Sequence, residues 1–314
     1  MEDLIIIGAG PIGLYGATLA ALHNLKGKII ESSSKVGGQL SSLYPEKNII
    51  DLPGFTKISA EDFINNLEKQ FYANPNHLEL KLNENVINFE KINDVIYVYT
   101  NKETYQTKCL LITSGMGLFT PRKIGLENED EISNIIYNIE TKDSLIGKDV
   151  IILGGGDSAV DWALLLEEVA NKVTIIHRRN DFRAQSGSVE KMDNSSIDVL
   201  RNKSILEIKN DNNKCILIIE DNSTKEIKSL ISDVVFVQYG QIPSKDNFPL
   251  NKTNNLIEVK EAYETSLENV FACGNICIYP NKVKNITAGL GEVTTAITKI
   301  DQIINPTKNI PIHF

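Results

Sequence analysis

The 314-residue chain lacks the features that mark several large classes of protein. No apolar run approaches the ~20 residues that a membrane-spanning helix needs. The net charge of −9 argues against nucleic acid as the main partner, since that role needs a basic surface. The first residues, MEDLIII, contain no basic segment of the kind that begins a secretory signal peptide. We therefore expect a cytoplasmic protein that binds neither a membrane nor a nucleic acid.

Cysteine is scarce, and its spacing does not match the usual redox and zinc motifs. The four cysteines are Cys109, Cys215, Cys273 and Cys277. Cys273 and Cys277 are close in sequence, but CGNIC is not the C-x-x-C of a redox dithiol. No cluster of cysteine and histidine has the spacing of zinc ligands. We expect small, buried thiols and no metal site.

Two segments of the chain share one design, a strand, a glycine-rich loop, a helix and a second strand. In the first, DLIII and GAGPIG lead into a helix from about Pro11 to His23 and the strand GKIIE. In the second, DVIIL and GGGDSA lead into a helix from about Asp157 to Ala170 and the strand KVTIIH. The second strand ends at the same distance from the first glycine in both segments. This repeat predicts two nucleotide-binding domains.

Other segments complete an α/β fold around these two units. SAEDFINNLEKQF predicts an amphipathic helix capped by Ser59, and NDVIYVYTN alternates as a half-buried strand does. Near the end, apolar residues recur at helical spacing from Leu290 to Ile304. We expect two Rossmann-like dinucleotide-binding domains of the three-layer ββα type, the second inserted into the first. The first domain comprises residues 1–116 and 244–314, and the second comprises residues 117–243.

The first glycine loop has the pattern that binds a pyrophosphate. Gly8 permits the tight turn, Gly10 allows close approach of the backbone, and Gly13 lets the helix pack on the strand. The amino end of the helix adds N–H donors and a positive dipole. Glu31 ends the second strand, where a carboxylate accepts hydrogen bonds from ribose hydroxyls and repels a 2′-phosphate. The alternative for Glu31 is a solvated surface side chain.

The second glycine loop repeats this pattern with Gly154, Gly156 and Ala159. Here the second strand ends in HRRNDFR, so that Arg178, Arg179 and Arg183 follow His177. Several guanidinium groups at that edge suit a phosphate dianion, although they could also form an ordinary solvated basic face. The residues therefore predict a dinucleotide with a free ribose at the first site and NADPH at the second. NADPH and a flavin are the natural pair for electron relay, which makes FAD the first cofactor.

Several motifs together resemble the thioredoxin-reductase-like flavoproteins over nearly the whole chain. They are GAGPIG, GGQL, LYPEK, GGGDSAVDWAL, HRR with FRA, and FACGN with TAGLGE. LYPEK, PRKI, GGGDSAVDWAL and the late PIH are most similar to the ferredoxin (flavodoxin)–NADP⁺ reductases of this type. The resemblance implies FAD and NADP(H) as cofactors, ferredoxin or flavodoxin as partner, and a homodimer.

The resemblance also implies roles for residues around the flavin. Tyr44 would stack on one face of the isoalloxazine ring, and the penultimate residue, His313, on the other. Asn275 stands where the family usually has an aspartate that bonds a ribityl hydroxyl. The full set expected at the FAD site is Gly8, Gly10, Pro11, Gly13, Glu31, Gly38, Gln39, Tyr44, Val86, Phe119, Asn275 and Gly289. The set expected at the NADP site is Gly154, Gly156, Asp157, Ser158, His177, Arg178, Arg179 and Arg183.

One family feature is missing. Thioredoxin reductases carry C-x-x-C just before the NADPH loop, and alignment on Tyr137 places that motif at residues 138–141, NIET. No thiol can form there, which excludes a disulfide relay at this position. The resemblance then implies hydride transfer from NADPH to flavin N5, followed by single-electron steps outward without a cysteine relay.

Two other functions are compatible with the sequence. The chain could be an NADPH reductase or oxidase of small acceptors such as quinone, iron chelate or oxygen. It could also be a non-catalytic nucleotide-binding sensor that keeps the fold. An acidic carrier such as ferredoxin would require a local basic face on this acidic chain. The candidates for that face are Arg122, Lys123, Lys282, Lys284 and Lys308.

Overall fold

The computed structural model describes residues 1–42, 45–115, 117, 119–139, 141–243 and 247–307. For residues 119, 120, 241 and 243 it describes the backbone alone. The chain divides into two compact units, Met1–Leu118 with Pro243–Phe314, and Phe119–Ile242. The first unit is thus built from the two segments that flank the second in sequence.

The elements follow one another in three groups along the chain. The first group is β1 (Glu2–Ile7), α1 (Pro11–Leu22), β2 (Gly27–Ile30), α2 (Gln39–Ser42), β3 (Asn48–Ile49), β4 (Ile58–Ser59), α3 (Ala60–Ala73), β5 (Glu79–Lys81), β6 (Val86–Ile92), β7 (Val95–Thr100) and β8 (Thr104–Ile112). The second is β9 (Phe119–Pro121), β10 (Ile135–Ile136), β11 (Asp149–Gly154), α4 (Asp157–Leu166), β12 (Lys172–His177), α5 (Ser186–Asp193), β13 (Asp198–Arg201), β14 (Lys203–Asp211), β15 (Lys214–Asp221), β16 (Ile227–Ser232), β17 (Val234–Gln238) and β18 (Gln241–Pro243). The third is β19 (Lys252–Thr253), β20 (Leu256–Glu258), β21 (Val270–Ala272), β22 (Cys277–Ile278) and α6 (Ile286–Ile304).

The main sheet of the first unit has β1 near its middle, in the strand order β5-β2-β1-β8-β7-β6. β1 pairs in parallel with β2 and β8, and its residues Leu4–Ile7 are buried. A strand covered on both faces needs apolar side chains throughout, which the run LIII supplies. β21 pairs in parallel with the carboxyl half of β8, while β7 pairs antiparallel with the amino half.

Helices cover one face of this sheet. α1 carries buried residues all round because it is enclosed by β1, α3 and α6. α3 has one apolar face, and the Ser59 hydroxyl caps it by accepting from Asp62 N at 3.0 Å, as predicted. In α6, Val293, Ile297 and Ile300 lie in the core at the predicted helical spacing. A second core, which includes Ile5, Ile7 and residues of β6 and β7, lies against the other side of the central strands.

The second unit has a five-stranded, all-parallel sheet in the order β10-β17-β11-β12-β13. α4 and α5 share one hydrophobic core with this sheet. The antiparallel sheet β14-β15-β16 shares the other core, in which Cys215, Leu217 and Ile219 contribute the alternate residues of β15. Helices, parallel sheet and antiparallel sheet form three layers, so the predicted ββα arrangement is confirmed here.

The predicted end of the helix after GGGDSA, at Ala170, is wrong. α4 ends at Leu166, and the next residues turn toward the start of β11. Gly147 N donates to Val169 O at 2.9 Å, and Asn171 N donates to Lys148 O at 3.0 Å. These bonds redirect the chain into β12, which the apolar pattern of residues 166–170 does not indicate. Among the described residues, no helix combines the length and apolarity needed to cross a membrane.

Candidate cofactor-binding sites

The first glycine loop, residues 8–13, connects β1 to α1. Gly8 has φ +96°, and an added Cβ would lie 2.8 Å from Ser114 Cα. A Cβ on Gly13 would lie 1.9 Å from Gly8 O, so the helix packs directly on the loop backbone. A Cβ on Gly10 meets nothing within 4 Å. The packing of the protein therefore explains Gly8 and Gly13, whereas the space beside Gly10 remains open to a ligand.

The two helices that follow the glycine loops have no side-chain cap at their amino ends. Ser59 caps α3 and the Asn285 side chain caps α6, accepting from Ala288 N at 2.8 Å. α1 and α4 instead begin at Gly10 and Gly156, and neither helix has a side-chain hydrogen bond at its N-cap. Pro11 occupies the first turn of α1, where its missing N–H costs nothing. An amino end without a side-chain cap fits the phosphates of a dinucleotide.

Glu31 lies directly after β2 and is 7% exposed, so it is not a solvated surface side chain. Its Oε2 accepts from Ala9 N at 2.8 Å, and its Oε1 accepts from Ser33 N at 2.9 Å. Oε1 also accepts from the Ser32 hydroxyl at 3.2 Å, so both of its lone pairs are used, whereas Oε2 can accept one further hydrogen bond. The carboxylate therefore lies against the glycine loop and retains the capacity to bind a hydroxyl group through Oε2.

A second loop, residues 37–39, lies against the first. Gly37 N donates to Ala9 O at 2.8 Å, and a Cβ on Gly38 would lie 3.4 Å from Gly10 Cα. Both glycines have positive φ, +104° and +57°. Gln39 follows as the first residue of α2 and is half-buried. The structure thus brings Gly38, followed by Gln39, to the first glycine loop. It adds Gly37, whose bond to Ala9 the GG pattern had not predicted.

The turn Gly274–Ile276 and the start of α6 also reach α1. A Cβ on Gly289 would lie 2.6 Å from Ile12 Cδ1 and 3.6 Å from Gly274 Cα. Asn275 is half-buried in this turn. Gly274 has φ +82°, and its N–H donates to Glu292 Oε2 at 2.7 Å. Asn275 and Gly289 therefore lie near the amino end of α1, and Glu292 is a further residue at this site that sequence reasoning missed.

Some of the remaining residues expected at the FAD site lie outside the described residues. Val86 begins β6, is buried, and pairs with Thr100. Phe119 begins β9, with its backbone alone described. Tyr44 and His313, the two expected ring-stacking residues, lie outside the described residues, as does Lys308. Their roles stay predictions.

The second glycine loop, residues 154–156, connects β11 to α4 and has its own reason for each glycine. A Cβ on Gly154 would lie 2.6 Å from Gln238 O, and one on Gly155 would lie 2.2 Å from the His177 ring. A Cβ on Gly156 meets nothing within 4 Å, as at Gly10. The His177 imidazole thus packs against the loop, and burial lowers its pKa, as do the nearby guanidinium groups.

The segment after β12 folds back onto this loop. Arg183 N donates to Gly155 O at 2.7 Å, and Gln185 N donates to Asp157 Oδ1 at 2.9 Å. Arg178, Arg179 and Arg183 are exposed and lie close enough to affect His177 electrostatically. In the part of the chain that is described, no ion pair includes any of the three. These three cations supply the positive charge that a 2′-phosphate would require. Asp157 and Ser158 lie in the first turn of α4.

The predicted basic face loses one member. Lys282 lies in a loop, but its side chain is buried and paired with Glu292, so the expectation that it belongs to a basic face is wrong. The neighbouring Glu292 carboxylate compensates the charge of Lys282 inside the first unit. Lys123 pairs with Asp130, while Arg122 and Lys284 are exposed. None of these residues identifies a docking surface.

All four cysteines are free and buried. Burial raises the pKa of Cys109 and Cys277 to about 12 and that of Cys215 to about 11, and it holds the pKa of Cys273 far above its usual value. In the segment that aligns with the missing dithiol, Ile139 is in the core and Thr141 caps a 3-10 turn by accepting from Asp143 N at 3.2 Å. No described thiol is a nucleophile in this fold.

Comparison with known proteins identifies the family. The family model for pyridine nucleotide-disulphide oxidoreductases matches residues 2–299, and the chain belongs to this family. A ferredoxin–NADP reductase of Halalkalibacterium halodurans is 40% identical, over 99% of this chain and 96% of that protein. Ferredoxin–NADP reductase 2 of Bacillus subtilis is 40% identical over 99% and 95%, and the ferredoxin–NADP reductase of Acholeplasma laidlawii is 38% identical over 98% and 96%.

Solved structures support the fold. Thioredoxin reductase of Lactococcus lactis superposes with a TM-score of 0.82 at 23% identity, covering 97% of this chain and 99% of that one. Thioredoxin reductase of T. acidophilum gives 0.81 at 23% identity, covering 96% and 98%. The resemblance seen in the sequence and the two Rossmann-like domains are confirmed. The chain is an oxidoreductase of the pyridine nucleotide-disulphide oxidoreductase family, with FAD and NADP(H) as its cofactors.

Proposed function

We propose that this protein passes electrons between NADPH and a ferredoxin or flavodoxin through FAD, with no cysteine relay. The observation that carries this proposal is the absence of a usable thiol. The segment that aligns with the dithiol of thioredoxin reductases contains no cysteine, and the cysteines elsewhere are buried with raised pKa values. The naming of its relatives as ferredoxin–NADP reductases supports the same partner.

The chain's residues hold the first cofactor by three means. The uncapped start of α1 binds the pyrophosphate, and the open space at Gly10 admits it. The Glu31 carboxylate accepts from a ribose hydroxyl at the remaining lone pair of Oε2. Gly38, Gln39 and Asn275 complete the site around the isoalloxazine ring and the ribityl chain of FAD. When bound, FAD would supply the chemistry that links a two-electron donor to one-electron acceptors.

The second unit selects the nucleotide. The amino end of α4 binds the NADP pyrophosphate, as α1 does for FAD. Arg178, Arg179 and Arg183 bind the 2′-phosphate, because guanidinium groups form strong charge-assisted bonds with phosphate oxygens. His177 packs against Gly155, and this contact fixes the end of the strand from which these arginines extend. A preference for NADPH over NADH follows.

We further propose that the protein acts in the cytoplasm as a homodimer. The four free thiols are typical of a reducing compartment. The dimer is the usual state implied by the family resemblance. Light scattering on the purified protein tests it, with a mass of twice 34.9 kDa expected and a monomer mass as the contradicting result.

Anaerobic assay of the purified holoprotein tests the proposed function. The protein should purify yellow, bleach on addition of NADPH, and then reduce ferredoxin or flavodoxin in catalytic turnover. A quinone and an iron chelate serve as parallel acceptors at equal flavin concentration. Turnover with these small acceptors alone, and none with either protein carrier, would reject the proposal and establish a reductase of small acceptors.

A further inference from the structure

A buried polar network lies beside the turn Gly274–Ile276 in the first unit. Its centre is Glu292, in the second turn of α6. Glu292 Oε2 accepts from Gly274 N at 2.7 Å, and Oε1 accepts from the Tyr279 hydroxyl at 2.9 Å. Lys282 Nζ pairs with the same Oε1, and the Lys282 and Glu292 side chains are only 5% and 1% exposed.

The surroundings of this ion pair are closed. Lys282 Nζ lies 5.1 Å from the centre of the Tyr279 ring, and that ring lies 5.6 Å from the ring of Tyr263. Cys277 Sγ donates to Gly274 O at 3.3 Å and lies 3.7 Å from Lys282 Nζ. The buried carboxylate is therefore hydrogen-bonded to a backbone amide, a phenol and an ammonium group.

Stability alone does not account for such a pair. Apolar side chains of similar volume often serve a core as well as a buried ion pair does, because desolvation of the charges offsets their attraction. The contact that distinguishes this network is the bond to Gly274 N, the residue before Asn275. Gly274 adopts φ +82°, a conformation open to few other residues, so its amide direction is set by this turn and this acceptor.

The same turn faces the amino ends of α1 and α6 through Ile12 and Gly289. The hydrogen bond from Gly274 N to Glu292, in the second turn of α6, therefore fixes the adjacent Asn275 between the first glycine loop and α6. We infer that Glu292, held by Lys282 and Tyr279, is a positioning residue that orients the Asn275 turn for FAD. The inference rests on FAD binding by the first unit and is independent of the electron partner.

A matched pair of double variants separates positioning from charge. Lys282→Met/Glu292→Gln removes both charges but keeps an acceptor for Gly274 N and an amide that bonds Tyr279. Lys282→Met/Glu292→Asn has the same groups on a side chain one methylene shorter, which cannot span the same gap. Lys203→Met/Asp221→Asn removes an ion pair of the second unit as the control.

The measurement is FAD affinity of the apoproteins by titration, with NADP⁺ affinity and thermal midpoint as checks on folding. The glutamine variant and the control should bind FAD within about threefold of wild type, and the asparagine variant at least about tenfold more weakly. NADP⁺ affinity should be unchanged in all three. Equal FAD affinity in the glutamine and asparagine variants would overturn the inference.

Two further outcomes are decisive. If the asparagine variant does not fold, the glutamine variant decides alone: FAD binding within about threefold of wild type supports the inference, and binding more than about tenfold weaker overturns it. If wild-type protein itself fails to bind FAD, the cofactor assignment of the first unit fails, which is a separate result from failure of the positioning role.

Discussion

Single residues distinguish the two nucleotide sites most clearly at the ends of their second strands. Glu31 is buried, and its carboxylate is bonded to the backbone of the phosphate loop. At the equivalent place in the second unit, Arg178 and Arg179 are exposed and carry no described ion-pair partner. A carboxylate favours ribose hydroxyls and a guanidinium group favours a phosphate, so we propose that these opposite charges select different cofactors in the two units.

Arg178→Ala should weaken NADPH binding by about 1–3 kcal/mol, the worth of a charge-assisted contact. NADH binding should change little, because NADH has no 2′-phosphate. Lys172→Ala is the control, since Lys172 lies at the other end of the same strand, where it pairs with Asp198. Steady-state kcat/KM for both nucleotides measures the effect. Equal kcat/KM for NADPH and NADH in the wild type would contradict the assignment.

The thiols provide a second test at this scale. Because burial raises their pKa values to about 11 or above, almost no thiolate is present in the native protein at pH 8. A thiol reagent such as dithionitrobenzoate should find no fast-reacting cysteine in the native protein and all four in denaturant. Rapid reaction of two native thiols would reveal an accessible pair and weaken the proposed mechanism.

Among the elements, strand, loop and helix of each βαβ unit are readable from the sequence because their signals are local. Apolar runs mark β1 and β11, and glycine spacing marks the loops. Local sequence signals do not predict the Lys282–Glu292 pair. Lys282 stands in the polar segment PNKVKN, whose pattern favours solvent, and only tertiary packing brings it to α6. The alternation of Cys215, Leu217 and Ile219 was a usable signal for β15 that the sequence analysis did not use.

Substitution of two adjacent glycines in the second loop should affect different properties, stability at Gly155 and NADPH affinity at Gly156. Gly155→Ala places a Cβ 2.2 Å from the His177 ring and should lower the free energy of unfolding by about 1–3 kcal/mol, a typical cost of overpacking. Gly156→Ala meets no protein atom and should leave the thermal midpoint close to wild type.

Gly156→Ala should nonetheless weaken NADPH binding by about tenfold or more, because its methyl group would occupy the space through which the pyrophosphate approaches the backbone. Thermal unfolding and NADPH titration of both variants measure the two effects. Unchanged NADPH affinity in Gly156→Ala would argue against phosphate binding at this loop.

At the scale of the whole molecule, one nucleotide-binding unit is interrupted in sequence by another. The repeat of the two βαβ segments predicts two nucleotide-binding units, because each segment is a complete local signature. Roles of Tyr44 and His313 depend on the family resemblance and stay predictions. We propose that electrons leave from the flavin, because the segment that aligns with the dithiol of thioredoxin reductases contains no cysteine in this chain.

The most direct test of this account compares ferredoxin with thioredoxin as acceptor under argon, at equal flavin and with saturating NADPH. The account predicts continuous reduction of ferredoxin and no reduction of thioredoxin above the rate without enzyme. A thioredoxin reductase assayed in parallel shows that the thioredoxin is competent. Clear turnover of thioredoxin by this protein, with ferredoxin left oxidised, would contradict the central claim.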